Sequence, residues 1–178
     1  MRKMAFEIRR LEPEKYAGLS YTASYKTDRY YAVELLEEGF RLMEKQAEPP
    51  LEKSFTDTLF GDWLEAPEVF GAFDGGELLG FVEGSPESWH RLFRISNVFV
   101  YPPHRRKGVA QALLRYMTAR ARAEGRYRGV ILETQTSNFA AITLYKTQGF
   151  RLTRIDLNEY TNTDVENREV RIDLLLKF

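Results

Sequence analysis

The chain predicts a mixed α/β domain, on three observations. Apolar residues recur with a period near two in some segments and near 3.6 in others. The segments follow the order β, helices, ββ, β, α, β, α, β, β, without repeats or linkers. The 178 residues, 43% of them hydrophobic, supply one core and leave little room for a second, which also excludes wholesale disorder. Residues 1–178 are therefore read as a single domain.

Phe6, Ile8 and Leu11 alternate loosely and predict a first strand. Residues 28–47 carry Tyr31, Leu35, Phe40, Leu42 and Met43 among charges and predict one or two amphipathic helices, weakened at Gly39 and stopped by Pro49-Pro50. Residues 54–66 predict a short helix or a loop. Residues 69–73, the turn Asp74-Gly75-Gly76, and residues 78–83 predict a hairpin. Residues 92–100 predict another strand, ended by Pro102-Pro103. From Gly108 the period changes: Val109, Ala112, Leu113, Tyr116, Met117 and Arg120 form one helical stripe, with Gly125 near its end. Residues 129–135 start almost wholly apolar, as a central buried strand does. Residues 138–148 predict a helix capped by Ser137 or Asn138, and residues 150–155 and 169–176 predict two closing strands.

Composition removes several kinds of chemistry. There is no cysteine, so disulfides, thiolate metal sites and a Cys nucleophile are excluded, and His90 and His104 are too few for a His-rich metal centre. We expect no metal. No stretch approaches the ~20 apolar residues of a membrane helix, and the charged start lacks the apolar run of a signal peptide; the expected location is the cytoplasm, away from membranes. Lys plus Arg and Asp plus Glu are 26 each, which argues against a whole-protein nucleic-acid binder. The balance conceals two blocks. Residues 54–90 hold Asp57, Asp62, Glu65, Glu68, Asp74, Glu77, Glu83 and Glu87 with no Lys or Arg. Residues 102–128 hold Arg105, Arg106, Lys107, Arg115, Arg120, Arg122, Arg126 and Arg128 against Glu124 alone. Such blocks are most often solvated faces; the sharper alternative is two ligands of opposite charge.

Residues 98–110 read as a strand, a basic turn and a helix start. The first turn of a helix leaves backbone N–H groups unpaired at the positive end of its dipole, a good partner for a diphosphate. Gly108 lets phosphate approach without a Cβ, and Arg105, Arg106 and Lys107 add cationic reach. Neither a P-loop nor a dinucleotide fingerprint is present, and alone the turn reads slightly better as an ordinary helix start with exposed Arg and Lys.

Two blocks together change that balance. Arg105-Arg106-Lys107-Gly108-Val109-Ala110 matches Arg/Gln-x-x-Gly-x-Gly/Ala, and residues 138–150 match Asn-x-x-Ala-x-x-x-Tyr-x-x-x-Gly-Phe. In this order and spacing they resemble the acetyl-CoA-binding blocks of the GCN5-related N-acetyltransferases, the GNAT superfamily. Ile95-Ser96-Asn97, residues 132–138 and residues 160–171 further resemble its streptothricin acetyltransferase branch.

The resemblance implies a single-domain GNAT fold, a mostly antiparallel sheet with a splayed pair of strands and flanking helices. It implies acetyl transfer from acetyl-CoA to a primary amine of a small cationic acceptor, streptothricin first, without a covalent enzyme intermediate. Val98, Phe99 and Val100 would offer backbone groups to the pantetheine arm, one N–H serving as an oxyanion donor. Arg105 to Ala110, with Asn138 and Ala141, would hold the cofactor. Tyr145 is implied as general acid for the leaving thiolate. The acceptor must lose a proton, and Glu133 and Glu83 stand equally as candidate bases, because the family's usual acidic position aligns with the uncharged Ser96-Asn97. Trp89, Asn97 and Tyr160 are candidate acceptor contacts, Trp63 could wall the pocket or stack on a cation, and acids of the 54–90 block with Asp156, Glu159, Asp164 and Glu166 near the C-terminus could hold the cationic ligand. A homodimer is compatible with the family. The alternatives are acetylation of a protein amino group, an aminoglycoside or a polyamine, or a non-catalytic acyl-CoA sensor.

Overall fold

The computed structural model describes residues 6–178; residues 1–5, part of the charged start considered above, lie outside the described residues. The strands are β1 (Glu7–Arg10), β2 (Ser20–Leu36), β3 (Gly39–Thr58), β4 (Glu68–Asp74), β5 (Glu77–Glu87), β6 (Leu92–Val100), β7 (Gly129–Gln135), β8 (Arg151–Asp156) and β9 (Arg171–Lys177). The helices are α2 (Val109–Ala123) and α3 (Phe139–Thr147), with single turns α1 (Pro13–Tyr16) and α4 (Asp164–Asn167). The described residues form two compact units. One holds the chain up to Tyr21 with Thr56–Ile131 and Lys177–Phe178; the other holds Thr22–Phe55 and Leu132–Leu176. Strand β7 contributes to both.

In the first unit the strand order is β1-β4-β5-β6, followed by the start of β7. The first three pairings are antiparallel. The connection from β6 through α2 to the neighbouring β7 is the helical crossover that a parallel pair needs. Gly75, with φ +59°, turns the chain between Asp74 and Glu77, which pair. The β5–β6 register carries a bulge. Glu83 faces Asn97 and Gly84 faces Ile95, so Ser96 has no opposite number. A Cβ on Gly84 would lie 2.8 Å from the Arg94 carbonyl oxygen, so only glycine fits beside this bulge.

Helix α2 packs on β4, β5 and β6 with Val109, Leu113, Leu114, Met117 and Ala121 buried. The expected stripe is therefore right in Val109, Leu113 and Met117 but rotated toward Leu114 and Ala121. Tyr116 is 39% exposed and lies at the rim, its ring 4.9 Å from that of Phe70. Arg120 sits beside it, with two guanidinium nitrogens donating to Glu68 at 2.6 and 2.5 Å. The fully buried Leu113 makes a sharp test of this packing. Leu113→Ala is expected to cost about 2–5 kcal/mol in urea denaturation, lost contacts and cavity combined.

The second unit continues β7 with β9 and then β8, where β8 and β9 are antiparallel. Leu132, Ile142, Tyr145, Phe150, Val170, Ile172 and Leu174 form its core. The helices expected over residues 28–47 are not there. Strands β2 and β3, of 17 and 20 residues, form a long two-stranded ribbon instead. The reason is visible along β2. Tyr21, Ala23, Tyr25 and Thr27 alternate with the exposed Thr22, Ser24, Lys26 and Asp28, the period of a strand. Pro49 and Pro50 do not stop β3, because a two-stranded ribbon leaves each strand an unpaired edge where proline is tolerated.

A lone ribbon is marginal in water, and contacts within the second unit anchor this one. The Tyr25 hydroxyl donates to Gln135 at 3.0 Å and lies 2.9 Å from the Ser137 hydroxyl. The Tyr31 N–H donates to the Thr136 carbonyl at 3.0 Å, and its ring stacks on Phe139 with centroids 5.5 Å apart. Lys53 pairs with Glu169 at 2.5 Å. Residues 54–66 are the end of β3 followed by a loop, not a helix.

Candidate active site

In the first unit, β6 delivers the chain into the basic turn, and Tyr101 to Arg105 form a tight helical turn beginning at Pro102. The Arg105 guanidinium donates from Nε to the Val100 carbonyl at 3.0 Å, so this side chain ties the turn to the strand end rather than reaching freely outward. Arg106 takes a positive φ of +63°, and Gly108 takes φ +82° as the residue before α2. No side chain caps α2, and a Cβ built on Gly108 would meet nothing within 4 Å. Arg106, Lys107 and Gly108 are all exposed. The turn therefore presents open N–H groups, open space and two cations together, the combination a diphosphate requires. Val98 is half-buried on β6, while Phe99 and Val100 are buried.

The same unit contains a polar cluster at the β5–β6 bulge. Glu83 is 0% exposed. Its Oε1 accepts the Phe60 N–H at 2.6 Å, and its Oε2 accepts from Asn97 Nδ2 at 2.7 Å. Burial pushes the Glu83 carboxyl above the ordinary glutamate value; the two hydrogen bonds oppose this, and the Asp57 charge adds to it. Asp57 accepts the Thr58 N–H at 2.7 Å and the Tyr21 hydroxyl at 3.4 Å. Trp89 and Trp63 are surface groups, 83% and 67% exposed, and Trp89 stacks on His90 with ring centroids 3.7 Å apart.

In the second unit, Asn138 caps α3. Its Oδ1 accepts the Ala141 N–H at 3.3 Å, which leaves its Nδ2 group to donate elsewhere. Two turns on, Tyr145 is 8% exposed, and burial pushes its phenol up to about 12. It is thus protonated throughout the neutral range, as a general acid must be. Glu133, late in β7, is engaged by Arg171 at 2.6 Å, and that guanidinium also holds Glu159 at 2.5 Å and Asp173 at 3.2 Å. Asp164 is fully buried and already occupied. It accepts the backbone N–H groups of Tyr160 and Thr161, both at 2.8 Å, and the Thr161 hydroxyl at 2.7 Å. It therefore shapes the loop that carries Tyr160 rather than facing a ligand.

The first unit thus holds the turn and the contacting pair Glu83 and Asn97, and the second holds Asn138 in contact with Ala141, together with Tyr145, Glu133 and Tyr160. Sequence reasoning missed Asp57, Tyr21 and the Phe60 N–H as neighbours of Glu83. The alternation that begins at Tyr21 is the signal that places Tyr21 on a strand; nothing local points to Asp57, 40 residues from Asn97. Among the described residues no group of three or more metal-ligating side chains is placed to hold an ion, and no helix is long and apolar enough to cross a membrane.

Residues 30–150 match the model of the Acetyltransferase (GNAT) family. A streptothricin acetyltransferase of Streptomyces lavendulae is 31% identical over 172 residues, covering 90% of this chain and 89% of that one. A streptothricin acetyltransferase of Escherichia coli is 35% identical over 138 residues, covering 77% and 76%. Among solved structures, a nourseothricin acetyltransferase superposes with TM-score 0.75 at 30% identity, covering 98% of this chain and 99% of that one. The ribosomal-protein-S18-alanine N-acetyltransferase of Escherichia coli superposes over only 61% of this chain, with TM-score 0.53 and 29% identity, covering 67% of its own length.

Proposed function

The chain belongs to the acetyltransferase (GNAT) family and is an acetyl-CoA-dependent N-acetyltransferase, and on that premise we propose that its acceptor is streptothricin, inactivated by acetylation of a primary amine. The observation that carries the acceptor assignment is the near full-length likeness to a streptothricin acetyltransferase, where a general family relative matches only part of the chain. The acid-rich segment 54–90 supports it, since a polycationic antibiotic is drawn to negative charge. We place the enzyme in the cytoplasm, acting on a small molecule rather than on nucleic acid, with residues 1–178 as one acetyltransferase domain.

The roles follow from the chemistry each group can perform. The start of α2 receives the diphosphate of acetyl-CoA through backbone N–H groups, with Arg106 and Lys107 beside it. Asn138, its Oδ1 engaged as a helix cap, offers its Nδ2 group to the pantetheine arm. The acceptor arrives as an ammonium ion and loses a proton to Glu83, through a bridging water because that carboxylate is shut from solvent. The amine nitrogen then attacks the thioester carbonyl, the C–S bond breaks, the departing sulfur takes its proton from Tyr145, and the second proton lost by the nitrogen as the amide forms passes through water to restore the Tyr145 phenol. Glu83 is preferred over Glu133 because its burial favours proton uptake, whereas Glu133 is engaged by a guanidinium.

Tyr145→Phe tests the acid. A thiol of pKa about 8.5 is a fair leaving group unaided, so kcat is expected to fall about a hundredfold at most, with acetyl-CoA affinity unchanged. Release of free thiol from acetyl-CoA, measured against a panel of streptothricin, aminoglycosides, polyamines and a peptide amine, tests the acceptor. Streptothricin is expected to give the highest kcat/KM. Turnover only with a peptide amine overturns the assignment, and no turnover with any amine favours a sensor.

A further inference from the structure

We propose that Asp57 is a second acidic residue of the acceptor site: it meets the acceptor's ammonium group at the accessible edge of the Glu83 cluster. The proposal rests on the reading of Glu83 as base. Asn97 supplies the link. Its Nδ2 group carries two hydrogens and donates to Glu83 at 2.7 Å, with Asp57 Oδ2 at 3.5 Å from the same nitrogen. One amide therefore spans two carboxylates. Glu83 is closed to solvent and Asp57 is half-buried, so a cation approaching from water meets Asp57 first.

Among the described residues no cation pairs with Asp57. Its partners among them are the Thr58 N–H, the Tyr21 hydroxyl and the Asn97 amide, all uncharged. The groups facing Glu83 can also be named. Strand β4 sets apolar Val69 opposite it, β6 contributes uncharged Asn97 and Ser96, the loop contributes the Phe60 N–H, and the titratable neighbours are Asp57 and Tyr21. Burial first, then Asp57 and Glu83, raise the Tyr21 phenol, so it stays neutral and orients Asp57 as a donor. The Asp57 charge adds to the proton affinity that burial gives Glu83, and the two carboxylates together attract an ammonium ion. Such a pair suits a protonated primary amine, which brings the missing positive charge and surrenders a proton.

Asp57→Asn keeps the shape and removes the charge. Thiol release with streptothricin, followed across pH, is expected to show an acceptor KM about tenfold higher, the worth of one charge-assisted contact. The acid limb of kcat/KM moves to lower pH, because the charge that raised Glu83 is gone, and acetyl-CoA affinity is unchanged. Asp57→Glu keeps the charge and is expected to hold the acid limb, with KM within about threefold of the parent. An Asp57→Asn enzyme with the parent's KM and acid limb overturns the proposal, as does an Asp57→Glu enzyme that fails equally, since shape rather than charge then matters. The Glu83 carboxyl followed by carbon NMR is expected to titrate above the ordinary glutamate value and to move to lower pH in Asp57→Asn; a Glu83 titration that the substitution leaves unmoved overturns the pairing. Failure of the underlying reading looks different: Glu83→Gln then keeps both turnover and the acid limb.

Discussion

Gly108→Glu is expected to weaken acetyl-CoA binding at least a hundredfold in titration calorimetry, an effect of about 2.8 kcal/mol. Two causes combine. The position has φ +82°, which costs a residue with a Cβ about 1–2 kcal/mol of backbone strain. The new carboxylate then enters the open space before α2, where we propose the diphosphate lies. Like charges 4 Å apart repel by roughly 1 kcal/mol in water and about 4 kcal/mol in a partly shielded site. Gly108→Ala separates the causes, since it carries the strain without the charge and is expected to lose about tenfold at most. The open space means neither variant clashes with the protein itself, so thermal unfolding should change little beyond that strain.

Glu83→Gln is expected to reduce kcat by about a hundredfold to ten-thousandfold, the usual worth of a positioned general base. The amide preserves the fold locally. Its oxygen still accepts the Phe60 N–H, and Asn97 can turn to offer its own oxygen to the new NH2 group. The pH dependence adds a second signature. Glu83 must be ionised to accept the proton, so activity falls as pH drops through its pKa. Burial has raised that pKa, which places the acid limb of the parent enzyme above the ordinary glutamate value. In Glu83→Gln this limb is lost. A variant that keeps both its turnover and its acid limb moves the base elsewhere, to Glu133 first.

The parts of the chain legible from sequence are those in which local pattern and tertiary packing agree. Val109, Leu113 and Met117 announce α2, and the apolar run from Val130 to Leu132 announces a buried strand, because burial on those faces is what such patterns produce. The cap of α3 was legible as Ser137 or Asn138, and Asn138 takes it. Residues 28–47 misled because Leu35, Leu42 and Met43 sit among good helix formers, while the deciding contacts are distant. Tyr25 finds Gln135 and Ser137, and Lys53 finds Glu169, more than 100 residues away in each case. Propensity yields to such contacts. The strand alternation around Tyr21 to Thr27 was the stronger signal, since half-buried ribbons are read by their period of two. At the candidate site the motif residues Gly108, Asn138 and Tyr145 were visible because their spacing is local. The environment that distinguishes Glu83 from Glu133 was not, because it is built by Phe60, Asn97 and Arg171 from other elements.

The decisive observation concerns where the cofactor's diphosphate lies. With backbone amides assigned by NMR, adding coenzyme A is expected to shift the resonances of Lys107, Gly108, Val109 and Ala110 in a saturable manner, at the affinity calorimetry gives. Coenzyme A that binds with the same affinity while these four amides stay unmoved would show that the start of α2 does not hold the diphosphate.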